Sequence, residues 1–265
     1  MVLAFSFCLY GPRNDRYYVG MLENVYLAGK YFPDWKVYIY YAPDVEHTMV
    51  EHLSACSNVV MRPTGITGPK NMIHRFFAID EADVELMMVR DADSRIHWKD
   101  RWAIREFVVS PQLAHTIRDN VVHTAKMMGG LWGLKKLAGI HVQQEYASYV
   151  EDTSLGYRNA HDQNFLADVI YPKVLPRLLV HYSLAPVFAG ENYTVRFPFE
   201  WTNDVYCGRI ENDYVDTPPP PKRFGYLPMA STRISDTATQ APVTQEPSFI
   251  PAKPDAVSLH FLKKK

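Results

Sequence analysis

In the first half of the chain, short apolar runs alternate with stretches whose apolar residues recur every three or four positions. Residues 3–10 form an apolar run closed by Gly11-Pro12, which predicts a buried strand. Residues 17–31 place Met21, Leu22, Val25 and Tyr26 at helical spacing, and Pro33-Asp34 ends that pattern. Val37–Tyr41 is β-branched and aromatic, hence a strand. Asp44 is placed to cap a helix running to about Ala55. Val59–Met61 predicts a short strand, residues 72–82 a helix, and Val84–Val89 a fourth strand. Near-continuous apolar strands separated by helices predict an α/β fold with a mainly parallel sheet covered on both faces. Ligands of such sheets bind beyond the carboxyl ends of the strands. That rule directs attention to Tyr10–Arg13, Ala42–Asp44, Arg62-Pro63 and Arg90–Arg95.

The second half is less regular. Trp98–Val108, Val142–Val150 and Asp162–Ile170 read as helices. His115–Ile117, Met127–Leu134 and Leu178–Val180 read as short strands. From Thr217 the character changes, with Pro218–Pro221 opening a stretch rich in Pro, Ser and Thr. Four consecutive prolines neither continue a helix nor sit in a central strand. The expected organisation is therefore one domain over residues 1–216 and an extended Pro-rich tail over 217–265.

Composition narrows the function classes. The formal net charge is −1, which favours neither nucleic acid nor an anionic membrane as partner. No run is long and apolar enough to predict a transmembrane segment. Cys8, Cys56 and Cys207 are scattered and form no CxxC pair, so zinc-knuckle and thioredoxin-like sites are not expected. A sparse, odd set of thiols predicts a reducing, cytoplasmic setting. The apolar opening lacks a basic n-region and a cleavage site, so it reads as a strand and not as a signal peptide.

The sharpest chemistry is Arg90-Asp91-Ala92-Asp93-Ser94-Arg95, directly after the apolar run 84–89. Two carboxylates leaving a buried strand require cations. Hard oxygen ligands of this kind suit Mn²⁺ or Mg²⁺, with open positions for a diphosphate. The competing reading pairs the two aspartates with Arg90 and Arg95.

With that motif, the chain resembles the GT-A glycosyltransferases. The resemblance also rests on His74-Arg75-Phe76-Phe77-Ala78, Asp83-Val84, His115–Asp119 with His123, Gly129–Gly133 and Asp162–Leu166. These segments look like a bacterial and giant-virus subset of such enzymes and span roughly residues 3–210. The resemblance implies a GT-A-like, Rossmann-like sheet and transfer of a sugar from a nucleoside-diphosphate donor. The donor base is expected to be uridine, and the acceptor a glycan or other hydroxyl. It further implies that Asp91 and Asp93 meet the metal and the donor, and that Arg75 lies over the donor. Gly129 and Gly130 would allow close approach of the sugar. Asp162 would stand beside the reacting sugar, and His181 would be a third metal ligand. An inverting enzyme would use Asp162 as its base, with Asp119 second, whereas a retaining one would use a group on the opposite sugar face, for which Gln163 is placed. Tyr10, Gly11 and Arg13 are expected donor contacts by position.

Each residue also has a structural reading. Arg75 could pair with Asp80 or Asp83, Gly129-Gly130 could form a tight turn, and Asp162 could cap its helix. His181 could be a satisfied core histidine, His123 could pair with Asp119, and Trp132 could pack in the core. Two other functions fit less of the pattern: a haloacid-dehalogenase-like phosphohydrolase, and a non-catalytic sugar- or nucleotide-binding module.

Overall fold

A computed structural model describes residues 1–151, 161–184, 187–199, 201 and 205–210. The expected tail at 217–265 lies outside the described residues. The first half contains β1 (Val2–Leu9), α1 (Asp15–Tyr31), β2 (Lys36–Tyr41), α2 (His47–Ser54), β3 (Val59–Pro63), a 3₁₀ segment (Gly68–Asp80) and β4 (Val84–Arg90). The second half contains α3 (Trp98–Val109), β5 (Ala114–Arg118), β6 (Leu131–Lys135), α4 (Val142–Glu151), α5 (His161–Phe165), α6 (Tyr171–Val174), β7 (Leu178–Tyr182) and β8 (Tyr193–Arg196). A π-helical turn, Leu166–Ile170, joins α5 to α6.

The strands form one sheet of eight in the order β3-β2-β1-β4-β6-β5-β7-β8. Every described ladder is parallel except the two made by β6, which runs antiparallel to β4 and β5. The chain winds outward from β1 through β2 and β3, then returns to place β4 on the other side of β1. That reversal makes the carboxyl ends of β1 and β4 the switch point of the sheet, the place where α/β sheets bind ligands in a crevice.

Alternation along the strands divides the core between the two faces. Phe5, Phe7 and Leu9 join Val37, Ile39, Leu86 and Met88 under α1 and α3, which contribute Met21, Val25, Ile104 and Phe107. Ala4, Tyr38, Met87 and Val89 face the other way, against Phe76 and Ile79 of the 3₁₀ segment, Val142 and Phe165. Trp132 belongs to this second cluster, is fully buried and packs edge-on to Phe76 with ring centroids 5.1 Å apart.

Several local expectations are corrected. Asp44 does not cap α2; its Oδ1 accepts the Gly11 amide at 2.9 Å, and the α2 N-cap is Glu46. A carboxylate near two loops serves whichever amide lacks a partner, and here that is the turn after β1. The helix expected at 72–82 is a longer 3₁₀ segment starting at Gly68. The strand expected from Met127 starts only at Leu131, because residues 127–130 form a loop. Strand β8 carries no run of apolar residues: Tyr193 and Arg196 are exposed, as suits an edge.

The far half is tied by Asp119, at the end of β5. Its carboxylate is fully buried and accepts from Lys99 Nζ at 2.9 and 2.7 Å, from the Cys207 amide at 3.0 Å, and from Ser183 Oγ. Its own amide donates to His123 Nδ1 at 3.0 Å, and its carbonyl accepts from Trp201 Nε1 at 2.9 Å. His123 is therefore an acceptor, and burial pushes its pKa down to about 4, keeping it neutral. The pairing of Asp119 and His123 runs through the Asp119 backbone rather than through its carboxylate.

Breaking a buried ion pair from one side leaves the other charge unpaired. Asp119→Asn is expected to cost about 3–5 kcal/mol of unfolding free energy. Urea denaturation of the variant beside the wild type measures it. A loss under about 1 kcal/mol would place this pair among the weak surface bridges.

Candidate active site

The crevice between β1 and β4 is bounded by the turn that carries Asp91 and Asp93, and α1 holds that turn. Gly20 lies so close to it that a Cβ would overlap the Ala92 carbonyl. Asn24, fully buried, donates from Nδ2 to Ser94 O at 2.6 Å and accepts the Ile96 amide at 3.0 Å. Glu23 accepts from Arg95, and Arg16 reaches Asp93. Arg16, Gly20, Glu23 and Asn24 lie four, three and one residues apart, so one stripe of α1 faces the turn.

The flanking arginines do not pair with the two aspartates. Arg90 turns into the core, where its Nε donates to Asp100 Oδ1 at 3.0 Å and its Nη2 lies 2.9 Å from the same oxygen, while Arg95 pairs with Glu23. The partners come from elsewhere. Arg75 Nη1 bonds Asp91 Oδ1, and its Nη2 bonds Asp162 Oδ2 at 2.9 Å. Arg16 places Nε at 2.9 Å and Nη2 at 2.6 Å from Asp93 Oδ2. Asp80 and Asp83 do not take Arg75: Asp80 accepts the Val142 and Gln143 amides at the start of α4, and Asp83 accepts from Tyr38.

Arg75 is the electrostatic centre of the crevice. Burial works against its charge, but the Asp91 and Asp162 carboxylates outweigh that and raise its pKa above the ordinary arginine value. Cys8 lies beneath it, and burial pushes that thiol up to about 11, so it is neutral. Tyr10 is half-buried at the same end of β1, and burial raises its hydroxyl to about 12. Gly11 has φ +83°, a left-handed turn that glycine adopts without strain. Arg13 points to Asp15, with its Nε 3.0 Å from Oδ1.

The Gly129-Gly130 loop closes the opposite wall. A Cβ on Gly130 would fall on the Asp91 carboxylate, and one on Gly129 would lie 3.0 Å from Arg75 Nη2 and 3.4 Å from Asp162 Oδ2. Both glycines therefore make room for site side chains. Gln163 braces the loop, accepting the Gly129 amide at 3.0 Å and donating to Met127 O. Asp162 stands in the first turn of α5, with Oδ1 2.8 Å from the Gln163 amide and its other oxygen on Arg75. Residue 160, which precedes α5, lies outside the described residues.

Two expected residues stand apart. His181 lies on β7, three ladders from β4, or about 14 Å across the sheet. Its Nδ1 shares a 2.7 Å hydrogen bond with His115 Nε2, and its Nε2 lies 3.1 Å from Glu106 Oε2. It is a satisfied core histidine, not a third ligand beside Asp91 and Asp93. Asp119 is enclosed by Lys99, Ser183 and Cys207, which leaves no face of its carboxylate open to a substrate.

His97, Asp100 and Cys207 bring ligand atoms within 4.8 Å of one another. That cluster is already committed. His97 Nδ1 accepts the Lys99 amide at 3.1 Å, Asp100 holds Arg90, and burial raises the Cys207 thiol well above its ordinary pKa. A cavity of about 370 Å³ beside Phe32, Trp35 and Arg105 lies at the amino-terminal end of β2, away from the crevice.

The sequence singled out Asp91, Arg75, Asp162, Gln163 and the two glycines, and the fold brings them together, while Asp93, also singled out, turns to Arg16. Arg16, Gly20 and Asn24 were missed. Their signal was available as polar and glycine residues at i, i+4 and i+8 on a helix that otherwise buries apolar side chains.

No family model matches the chain, and no curated protein does. Solved structures share parts of its fold. A glycosyltransferase involved in the glycosylation of the major capsid of PBCV-1 is 14% identical; the similarity covers 69% of this chain and 82% of that one, with a TM-score of 0.46. The mannosyltransferase PcManGT from Pyrobaculum calidifontis, in complex with GDP-Man and Mn²⁺, is 14% identical over 71% of this chain and 56% of that one, also at 0.46. A putative glucose-1-phosphate thymidylyltransferase from Bacillus anthracis is 10% identical over 67% and 86% of the two chains, again at 0.46. The chain is thus similar, in a mostly parallel helix-flanked sheet, to sugar transferases and to a thymidylyltransferase, and its chemistry rests on its own side chains.

Proposed function

We propose that this chain is a metal-dependent glycosyltransferase that moves a sugar from a nucleoside-diphosphate donor to a hydroxyl of a glycan or other acceptor. One observation carries the reading: at the crevice between β1 and β4 Arg75 joins Asp91 to Asp162, and Asp93, two residues on, pairs with Arg16. Three carboxylates there face two arginines, so one negative charge is left for a cation to balance. The donor set is carboxylate oxygen, which Mn²⁺ and Mg²⁺ prefer. Asp91, with its side chain 40% exposed, and Asp93 would hold such an ion. Bound there, it would supply positive charge to the departing diphosphate.

The remaining work falls to the chain itself. Arg75 fixes Asp91 and Asp162 relative to each other and keeps a cation beside the leaving group. Asp162 is oriented by Arg75 and by the Gln163 amide, and it is the proposed base for the acceptor hydroxyl. Gln163 holds the Gly129-Gly130 wall against the crevice, and a side chain at Gly129 would crowd Arg75 and Asp162. Tyr10, Gly11 and Arg13 follow β1 and are the proposed contacts for the nucleotide, with uridine the expected base.

Asp93→Asn is nearly isosteric and removes one ligand charge. Calorimetry with UDP should show wild-type binding that requires Mn²⁺, and at least about tenfold weaker Mn²⁺-dependent binding in the variant, a difference of about 1.4 kcal/mol. Equal binding in EDTA and in Mn²⁺ overturns the metal assignment, and phosphate release from simple phosphate esters would favour the phosphohydrolase.

Asp162→Asn keeps an oxygen for Arg75 but cannot take a proton at neutral pH. Sugar transfer should slow by at least about a hundredfold while UDP binding stays within a few-fold of wild type. Near-full transfer activity would leave Asp162 as a support for Arg75 alone.

A further inference from the structure

The two arginines of the crevice are not equivalent. Arg75 is 7% exposed at its side chain and bridges two carboxylates from distant parts of the chain. It cannot leave without stranding them. The Arg16 side chain is 46% exposed and holds a single oxygen, Asp93 Oδ2, with both Nε and Nη2. That is a half-used fork, because a guanidinium bonds a carboxylate best through two parallel bonds to two oxygens. Its backbone is fixed in the first turn of α1, where Asn14 Oδ1 accepts the Arg16 amide at 3.1 Å. The free end of the side chain lies beside the Tyr17 ring, with its carbon 5.4 Å from the ring centroid.

We propose that Arg16 is a placeholder counterion, which neutralises Asp93 before an ion binds and transfers to the donor's diphosphate when a divalent cation takes that carboxylate. This rests on the metal reading given above. A guanidinium and a divalent ion on one carboxylate compete for its charge, since like charges at such distances repel in a partly dry site. A diphosphate offers the displaced guanidinium paired oxygens in the geometry its fork matches. The amino terminus of the 17-residue α1 adds its own preference for an anion at the same place. Arg16 therefore works against the metal when the ion comes alone and works for it when a diphosphate comes too. The two ligands are coupled by one side chain, and the free site is kept from filling with metal only.

Arg16→Ala separates these effects. Calorimetry with MnCl₂ alone should show tighter ion binding in the variant than in the wild type, by several-fold. Titration of UDP at saturating Mn²⁺ should show binding weaker by about tenfold, the loss of one charge-assisted contact. Opposite shifts for the two ligands are the signature. Arg16→Lys retains the charge without the fork, and should move UDP binding in the same direction with a smaller change in Mn²⁺ affinity. Matching thermal melts of the variants confirm that the half-exposed position leaves the fold intact. If both ligands weaken together, or neither moves, the placeholder role is overturned while the metal site stands. If the wild type binds no Mn²⁺ and no UDP in its presence, the metal reading falls and this inference falls with it.

Discussion

A buried guanidinium must be surrounded by its counterions, and Arg75 imposes that constraint on the whole crevice. Its charge sits under the carboxyl ends of β1 and β4, nearly without solvent, on Cys8. Only anions delivered to both of its terminal nitrogens make that position tolerable. Asp91 comes from the turn after β4 and Asp162 from α5, 87 residues along the chain from Arg75. The 3₁₀ segment, the turn and α5 are thereby held to one geometry. The carboxylates of the crevice are in this way oriented before any ligand arrives.

The turn after β4 shows how a helix can be recruited to the same end. α1 buries Tyr18, Met21, Val25 and Ala28 as an amphipathic helix should, yet it also buries Gly20 and Asn24. Both residues lower helix propensity, the glycine by about 1 kcal/mol relative to alanine. The offset is tertiary. Gly20 permits contact with the Ala92 carbonyl, and Asn24 satisfies the polar backbone of a turn sealed from water. Local propensity is given up where the turn needs support.

The reversed strand β6 has a comparable consequence. Because β5 ends and β6 begins at the carboxyl edge of the sheet, the whole loop from Asp119 to Gly130 lies at that edge. One end of the loop is anchored in the Asp119–Lys99 pair, and the other is braced by Gln163. A parallel crossover would have returned the chain to the opposite edge, and Gly130 would not face Asp91.

The sequence by itself determined the four strands of the first half and the presence of α1 and α2, because apolar periodicity is local, but not the 3₁₀ form of Gly68–Asp80. It also determined that Asp91 and Asp93 stand at the end of a buried strand, and it marked Arg75, Asp162, Gln163 and the glycine pair through resemblance. It could not determine which charges meet. Arg90 and Arg95 are the nearest basic neighbours of Asp91 and Asp93 in the chain, yet alternation along the strand and turn sends them to Asp100 and Glu23. Histidine 181 looked like a ligand in sequence order, but strand order put β6 and β5 between it and the aspartates. Asp119 looked equally available until Lys99, Ser183 and Cys207 were folded around it. Pairings of this kind depend on sheet order and on which helix face is turned inward. Those are decided only when distant segments pack, since a buried charge takes the partner that the fold brings within hydrogen-bond reach, whatever its separation in the chain.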